Sequence, residues 1–359
     1  MNFLKDNLVA SIIKNGGIYS SDLIEIHLPE TFGFCRGVCK AVKITQQELK
    51  RINPKKIILL GEIIHNPTVN NYFQEQGVKI IREEDYSKIK DSLGTENTLI
   101  IPAFGVTLNT EKEILSGPCK VLDATCEDVK SIWKFVSTNA SLGKTNIIYG
   151  KANHAETKGI LSRAIKEECN AAVVVSSIKE AEKLAERISK NLERTDSLTV
   201  FNKKFFNPYG FALCSQTTML YDDSLKISKI INAATKTVNA DFITCKTVCQ
   251  ATRHRQHSAI EICKKPLDLI FVIGGYSSSN TTKLYQIAQQ YNKQVFFIES
   301  ADAITKSQII HFIPELKKEE RTAFPYDIGK KIKIGILAGA SCPFTSVGNV
   351  IRRLKTIDD

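Results

Sequence analysis

A threefold internal repeat constrains this chain more than any other feature. Three times an apolar, strand-like run ends on glycine, three residues follow, and a polar residue then opens a helix-like segment. The texts are IILLGEIIHNPTVNNY, NIIYGKANHAETKGIL and IFVIGGYSSSNTTKLY, registered on Gly61, Gly150 and Gly274. His65, His154 and Ser278 stand four residues later, and Pro67, Glu156 and Asn280 two beyond those. Cys35, Cys126 and Cys249 lie 26, 24 and 25 residues ahead of the three glycines. Each unit closes on a second strand with a small or polar tip: PAFGV around Phe104, CSQTT around Thr217, AGAS at Ser341. Self-similarity with so nearly constant an internal spacing marks a repeated supersecondary unit. The chain therefore reads as three copies of one α/β module, each with one cysteine and two strand-tip loops.

The alternation of short apolar runs with helical patterns carries the same message. Strands are predicted at 56–60, 98–103, 120–123, 146–149, 171–175, 211–214, 269–273, 295–298 and 333–338. Helices are predicted at 38–51, 127–135, 178–192, 225–235, 281–291 and 346–354. Strand and helix in turn give βαβ units and small parallel sheets. The expected organisation is an N-terminal extension, 1–36, that includes the first cysteine segment and packs with the third module, followed by modules at 37–125, 126–246 and 247–359. Lys-rich, Pro-containing text at 191–207 and 304–331 reads as inserted, solvated loops.

Composition narrows the function. With 43% hydrophobic and 24% charged residues over 359 positions, disordered and fibrous classes are excluded. No apolar run is long enough to span a bilayer, and the start reads as neither signal nor clear transit peptide, so a cytoplasmic home is expected. The net charge of +11 favours anionic partners. A dense basic and aromatic stretch of the kind that binds nucleic acid strands is missing.

Ten cysteines in such a chain are expected as thiols or metal ligands, not disulfides. One equivalent cysteine per module would set Cys35, Cys126 and Cys249 around a pseudo-threefold axis. Three thiolates suit a cubane iron–sulfur cluster with one open iron. Zinc on three cysteines, zinc on the four thiols of CRGVC and CKTVC (Cys35, Cys39, Cys245, Cys249), and inert buried thiols are the alternatives. Cys119, Cys169, Cys214, Cys263 and Cys342 read as core filler. His65, His154, Ser278, Ser279, Asn280 and Ser341 follow strands at or near helix starts, where free N–H groups and the helix dipole favour a phosphate or diphosphate. Glu156 is the only carboxylate at its repeat position, and enclosure would raise its pKa towards that of a proton donor. Thr217 and Thr218 offer hydroxyls for a proton relay. LGKT at 142–145 reads as a helix-to-strand turn, not a phosphate loop, and Trp133 as core.

GFCRGV, GEIIHNP, DATC, GKANHAETKG, SQTT, CQATRHRQ, SSSN and GAS, in that order, resemble the motifs of the 4-hydroxy-3-methylbut-2-enyl diphosphate reductase (LytB/IspH) family from about Thr31 to Leu354. The resemblance implies a trefoil of three pseudo-equivalent α/β modules around one [4Fe-4S] cluster per subunit, held by Cys35, Cys126 and Cys249 with one iron open. It implies reductive removal of the C4 hydroxyl of the allylic diphosphate, giving isopentenyl and dimethylallyl diphosphates, the last step of the methylerythritol phosphate pathway. His65, His154, Thr217, Thr218, Ser278, Ser279, Asn280 and Ser341 are then expected to bind substrate, with Glu156, Thr217 and His154 catalytic. Reduced ferredoxin or flavodoxin is the implied electron donor, with neither nucleic acid nor membrane as partner. One position departs: where the family has an AHGV-type segment, this chain has Phe104, and loss of one hydrogen bond to a charged group costs roughly 1.5–3 kcal/mol. That departure motivates a second reading, a cluster-bearing paralogue with altered or weakened diphosphate use, and beyond it a zinc-stabilised binder of RNA or phosphate.

Overall fold

The computed structural model describes residues 3–190, 198–325 and 330–358, without the side chains of the last two. It divides into two compact units. The first comprises Met1–Cys39, Ile64–Tyr72 and Gln250–Asp359; the second comprises Lys40–Ile63 and Phe73–Cys249.

The first unit is built on one five-stranded sheet. Its order is Ile18–Ser20, Ile24–His27, Ile332–Ala338, Leu269–Ile273, Val295–Ile298, with only the first pair antiparallel. The strands Leu269–Ile273 and Val295–Ile298 are buried at every residue, as expected where helices cover both faces of a parallel sheet. One face packs Ile26, Phe271 and Ile334 against Val347 and Ile351 of the C-terminal helix Phe344–Asp358. The other packs Ile270, Val272 and Phe297 against Ala259, Ile262, Leu284 and Tyr285 from the helices Gln250–Cys263 and Ser279–Ala288.

The second unit holds two sheets. The four-stranded one, Lys79–Ile81, Ile57–Leu60, Thr98–Ile101, Lys120–Asp123, is parallel throughout. The five-stranded one runs Asp241–Thr244, Gly210–Ser215, Thr145–Tyr149, Ala172–Val175, Thr199–Phe201, and only its last pair is antiparallel. The fold is thus α/β with small, mostly parallel sheets, as the repeat predicts. All nine predicted strands are present. Trp133 is core, buried beside Ile132, Val136 and Ile160, and Gly143 at φ +70° turns the chain from helix Glu127–Ser141 into strand Thr145–Tyr149.

The sequence reading missed mainly short outer strands such as Lys79–Ile81 and Thr199–Phe201, which carry no long apolar run because one or both faces are partly solvated. Two expectations change. Residues 304–331 are not only a solvated loop: Gln308–Ile313 and Lys318–Ala323 form an antiparallel hairpin. Its first strand alternates, burying Ile309 and His311, and that period-two pattern is hidden in the sequence by the charged second strand. Of the insert at 191–207, residues 191–197 lie outside the described residues and Thr199–Phe201 is a strand. Among the described residues, no helix is long and apolar enough to cross a membrane.

Candidate functional site

The second-strand tips repeat one hydrogen-bond scheme. Ala103, Thr217 and Ala340 each accept at the carbonyl from the N–H of a cysteine: Cys126 to Ala103 at 2.9 Å, Cys249 to Thr217 at 3.2 Å, Cys35 to Ala340 at 3.1 Å. Each tip's own N–H donates back into the loop after the preceding strand of the same module. Thr217 N–H donates to Glu156 Oε1 at 2.7 Å, and Ala340 N–H to Asn280 Oδ1 at 2.9 Å. In the first module the corresponding loop residue is Pro67, which has no acceptor side chain, and Ala103 N–H turns to the Ile63 carbonyl at 3.2 Å. The scheme aligns Phe104 with Thr218 and Ser341, one residue past each tip.

In the first unit, the structure gathers His65, Ser278, Asn280 and Ser341. Ser278 caps the helix Ser279–Ala288, accepting from Thr281 N–H at 3.3 Å and from the Thr281 hydroxyl at 3.0 Å. Ser341 Oγ lies 3.0 Å from the His65 carbonyl and 3.3 Å from Ser278 Oγ. Asn280 Nδ2 reaches Thr252 Oγ1 at 3.4 Å. Ser279 Oγ is buried and has no hydrogen-bond partner among the described residues. Such a set of hydroxyls and an amide at a helix N-terminus is suited to an anion. The loop is tight: a Cβ on Gly275 would fall 2.7 Å from the His65 carbonyl. His65 itself precedes Asn66, which caps the helix Pro67–Glu75 by accepting from Val69 N–H at 3.3 Å, with proline at the first helical position.

In the second unit, His154 caps the helix Ala155–Ala164. Its Nδ1 accepts from Glu156 N–H at 3.2 Å, so the ring proton of the neutral imidazole sits on Nε2 as a donor. Glu156 is 2% exposed. Its two oxygens are held by one residue, Oε1 by Thr217 N–H and Oε2 by the Thr217 hydroxyl at 2.9 Å. Burial pushes its pKa up to about 7, against the two Thr217 hydrogen bonds that pull it down and with a smaller push from Asp128. A carboxyl group near half-ionised at neutral pH, pinned in one geometry, is fitted to hold and release a proton. Phe104 lies in a turn closed by Gly105 N–H on the Pro102 carbonyl at 3.0 Å, and Gly105, at φ +78°, leaves no room for a Cβ beside Trp133.

Two supports escaped the sequence reading. Fully buried Gln216 accepts from Lys151 N–H and the Thr157 hydroxyl, both at 3.2 Å, and donates to Thr218 Oγ1 at 3.0 Å, tying helix Ala155–Ala164 to the tip. Arg255, 4% exposed, donates to the Gly33 carbonyl through Nε at 3.2 Å and Nη2 at 2.7 Å, fixing the segment two residues before Cys35. A glutamine between a serine and two threonines and an arginine in a basic helix look like ordinary polar text. Only a count of their buried hydrogen bonds separates them from it.

Cys35, Cys126 and Cys249 each directly precede a helix, Arg36–Arg51, Glu127–Ser141 and Gln250–Cys263. All three are part-exposed, and Val38 N–H points at Cys35 Sγ at 3.4 Å. Cys214, Cys263 and Cys342 differ: they are buried and burial pushes their thiols up. Among the described residues, no three His, Cys, Asp or Glu side chains come together as ligands of a single metal ion. A cavity of about 500 Å³ in the first unit, lined by Tyr285, Phe296, His311 and Thr322, includes none of the candidate residues.

A family model described as LytB protein matches residues 26–355. The chain is 31% identical over 366 residues to a 4-hydroxy-3-methylbut-2-enyl diphosphate reductase of Prochlorococcus marinus (strain AS9601), covering 98% of this chain and 91% of that one. It is 32% identical over 363 residues to the protein of that name from Synechococcus sp. (strain ATCC 27144 / PCC 6301 / SAUG 1402/1), covering 98% and 90%. Among solved structures, it is similar to (E)-4-hydroxy-3-methyl-but-2-enyl diphosphate reductase, the terminal enzyme of the non-mevalonate pathway, at 26% identity, TM-score 0.55 and coverage of 92% and 99%. The fold is also that of the E-1-hydroxy-2-methyl-but-2-enyl-4-diphosphate reductase from Plasmodium falciparum, at 24% identity, TM-score 0.70 and coverage of 93% and 89%.

Proposed function

The chain belongs to the LytB protein family, and from that premise we propose how its residues carry out the reaction. It is an oxidoreductase, a 4-hydroxy-3-methylbut-2-enyl diphosphate reductase that removes the C4 hydroxyl to give isopentenyl and dimethylallyl diphosphates. Loss of the hydroxyl as water, with hydrogen added to the allyl carbons, consumes two electrons and two protons. The observation that carries this reading is the family match across residues 26–355.

The residues present fit a thiolate-bound cluster. Cys35, Cys126 and Cys249 are part-exposed thiols at three helix starts, where dipole and free N–H groups favour a negatively charged sulfur. They would hold one [4Fe-4S] cluster, which when bound would supply the electrons and an open, Lewis-acidic iron for the hydroxyl. His65, Ser278, Ser279, Asn280 and Ser341 neutralise and orient the diphosphate, with His154 and Thr218 as further donors. Glu156 holds the proton destined for the leaving oxygen. While Glu156 is ionised, the Thr217 hydroxyl donates to Oε2. Once Oε2 is protonated it becomes the donor, and the Thr217 proton turns away, so this one bond can act as a relay. The net charge of +11 supports an acidic electron donor such as ferredoxin or flavodoxin, and the reading includes a cytoplasmic setting and module boundaries at 37, 126 and 247.

The test is an anaerobic preparation analysed for iron and sulfide and assayed with the allylic diphosphate and a reduced dye. Conversion to both products is expected. A protein that holds stoichiometric zinc, or that leaves the substrate unreduced, would overturn the proposal.

A further inference from the structure

The inserted hairpin 308–323 contributes none of the candidate site residues, yet it bears on the loop that carries Ser278. That loop starts Gly274-Gly275, two residues without side chains to anchor it, and Gly274 at φ +155° sits where other residues rarely go. What fixes it is the next residue. The Tyr276 ring stacks on Phe312 of the hairpin, with centroids 4.4 Å apart and planes 14° from parallel. Phe297 meets the same ring edge-on at 5.3 Å and 88°. Tyr276 N–H donates to Glu299 Oε1 at 2.9 Å, and the phenol hydrogen-bonds Glu319 on the second hairpin strand. One residue before Tyr276, Gly275 packs against the His65 carbonyl, and two residues after it stands Ser278, whose N–H returns to the Gly275 carbonyl at 2.9 Å. The equivalent loop positions, Ile63 and Ala152, have no aromatic ring, and among the described residues the one two-stranded sheet is this hairpin.

We propose that Tyr276 is a positioning residue for the diphosphate seat and that the hairpin, through Phe312, is the element that holds it. This rests on the anion role given above to Ser278, Asn280, Ser341 and His65. Tyr276 touches no reacting atom; it sets the loop that presents Ser278 and closes on His65. Its removal therefore acts on diphosphate affinity and spares the proton-transfer residues.

The probe is inorganic pyrophosphate, titrated calorimetrically into the anaerobically purified, cluster-loaded protein, alongside steady-state kinetics. Tyr276→Ala and Phe312→Ala are each expected to weaken pyrophosphate binding about three- to tenfold, the range of an aromatic pair, with KM rising in parallel and kcat within about twofold. The double variant should bind no worse than Tyr276→Ala alone, since both act on one contact. Tyr276→Phe keeps the stack and should hold affinity within about twofold of the unaltered protein. Phe312→Leu fills the same space without a ring, guards against a folding defect, and should show most of the Phe312→Ala loss. Unchanged pyrophosphate affinity in Phe312→Leu and Tyr276→Ala, or a loss confined to kcat, overturns the inference alone. Absence of pyrophosphate binding in the unaltered protein overturns the anion seat, and this inference with it.

Discussion

Glu156 and Asn280 occupy the same place in two modules and do the same structural work. Each sits in the first turn of its helix and accepts the N–H of the following strand tip, at 2.7 Å from Thr217 and 2.9 Å from Ala340. A glycine opens each loop, and a Cβ there would crowd the next threonine: Gly150 against Thr157 Oγ1 at 2.9 Å, Gly274 against Thr281 Oγ1 at 2.5 Å. The frame is therefore shared and the chemistry is not. An amide can only hold its neighbour and a ligand in place; a buried carboxyl with a pKa near 7 can also exchange a proton. The fold supplies one position three times, and the residue type decides whether it can only accept a hydrogen bond, can also exchange a proton or, as at Pro67, starts a helix.

Glu156→Gln makes the second module like the third, and the largest effect is expected there. The amide oxygen still accepts from Thr217 N–H and carries no buried charge, so the melting temperature at neutral pH should not fall below that of the unaltered protein, while kcat falls about 10²- to 10⁴-fold with little change in KM. Anaerobic kinetics beside a thermal melt distinguish this from simple damage.

The pH dependence of folding sharpens the same contrast, because Asn280 cannot titrate. A carboxyl whose folded pKa is raised from 4.5 to about 7 favours the folded state fully below pH 4.5 and loses that contribution as pH rises through 7. The fall amounts to roughly 3 kcal/mol across that window. Denaturant titrations at several pH values should show it in the unaltered protein and not in Glu156→Gln. The branch of activity that needs protonated Glu156 should decline above about pH 7.

The reverse exchange, Asn280→Asp, brings a negative charge to the seat. Diphosphate binding should weaken about 10- to 100-fold through like-charge repulsion, read as KM or pyrophosphate affinity, with kcat less affected. Phe104→His is the smallest change. It gives the first tip a donor where the others carry Thr218 and Ser341, and KM for the diphosphate should drop by up to about tenfold. An unchanged KM would mean that the Phe104 position does not face the anion.

Much of this was legible because the repeat writes geometry into spacing. Gly61, Gly150 and Gly274 fix a register in which His65, His154 and Ser278 fall at strand ends, and strands such as Ile57–Leu60, Ala172–Val175 and Leu269–Ile273 announce themselves as buried apolar runs. The equivalence of Glu156 with Asn280 followed from counting. Other parts were not legible. Tyr276 and Phe312 are 36 residues apart, and nothing local in either predicts a stacked pair. The hairpin was hidden because KEERTA has the composition of a loop, and its pairing with QIIHFI depends on the partner strand.

By itself, the sequence determined the α/β class, the threefold module, the cysteines at helix starts and the residue types at the strand tips, because these depend on periodicity and on contacts between near neighbours. The tertiary structure decided which groups meet across long stretches of chain. It set Thr217 on both oxygens of Glu156, Gln216 between a tip and a helix, Arg255 on the Gly33 carbonyl and an inserted hairpin under Tyr276. The physical reason is that burial and hydrogen-bond direction belong to the packed state: the raised pKa of Glu156 does not exist until the chain closes around it.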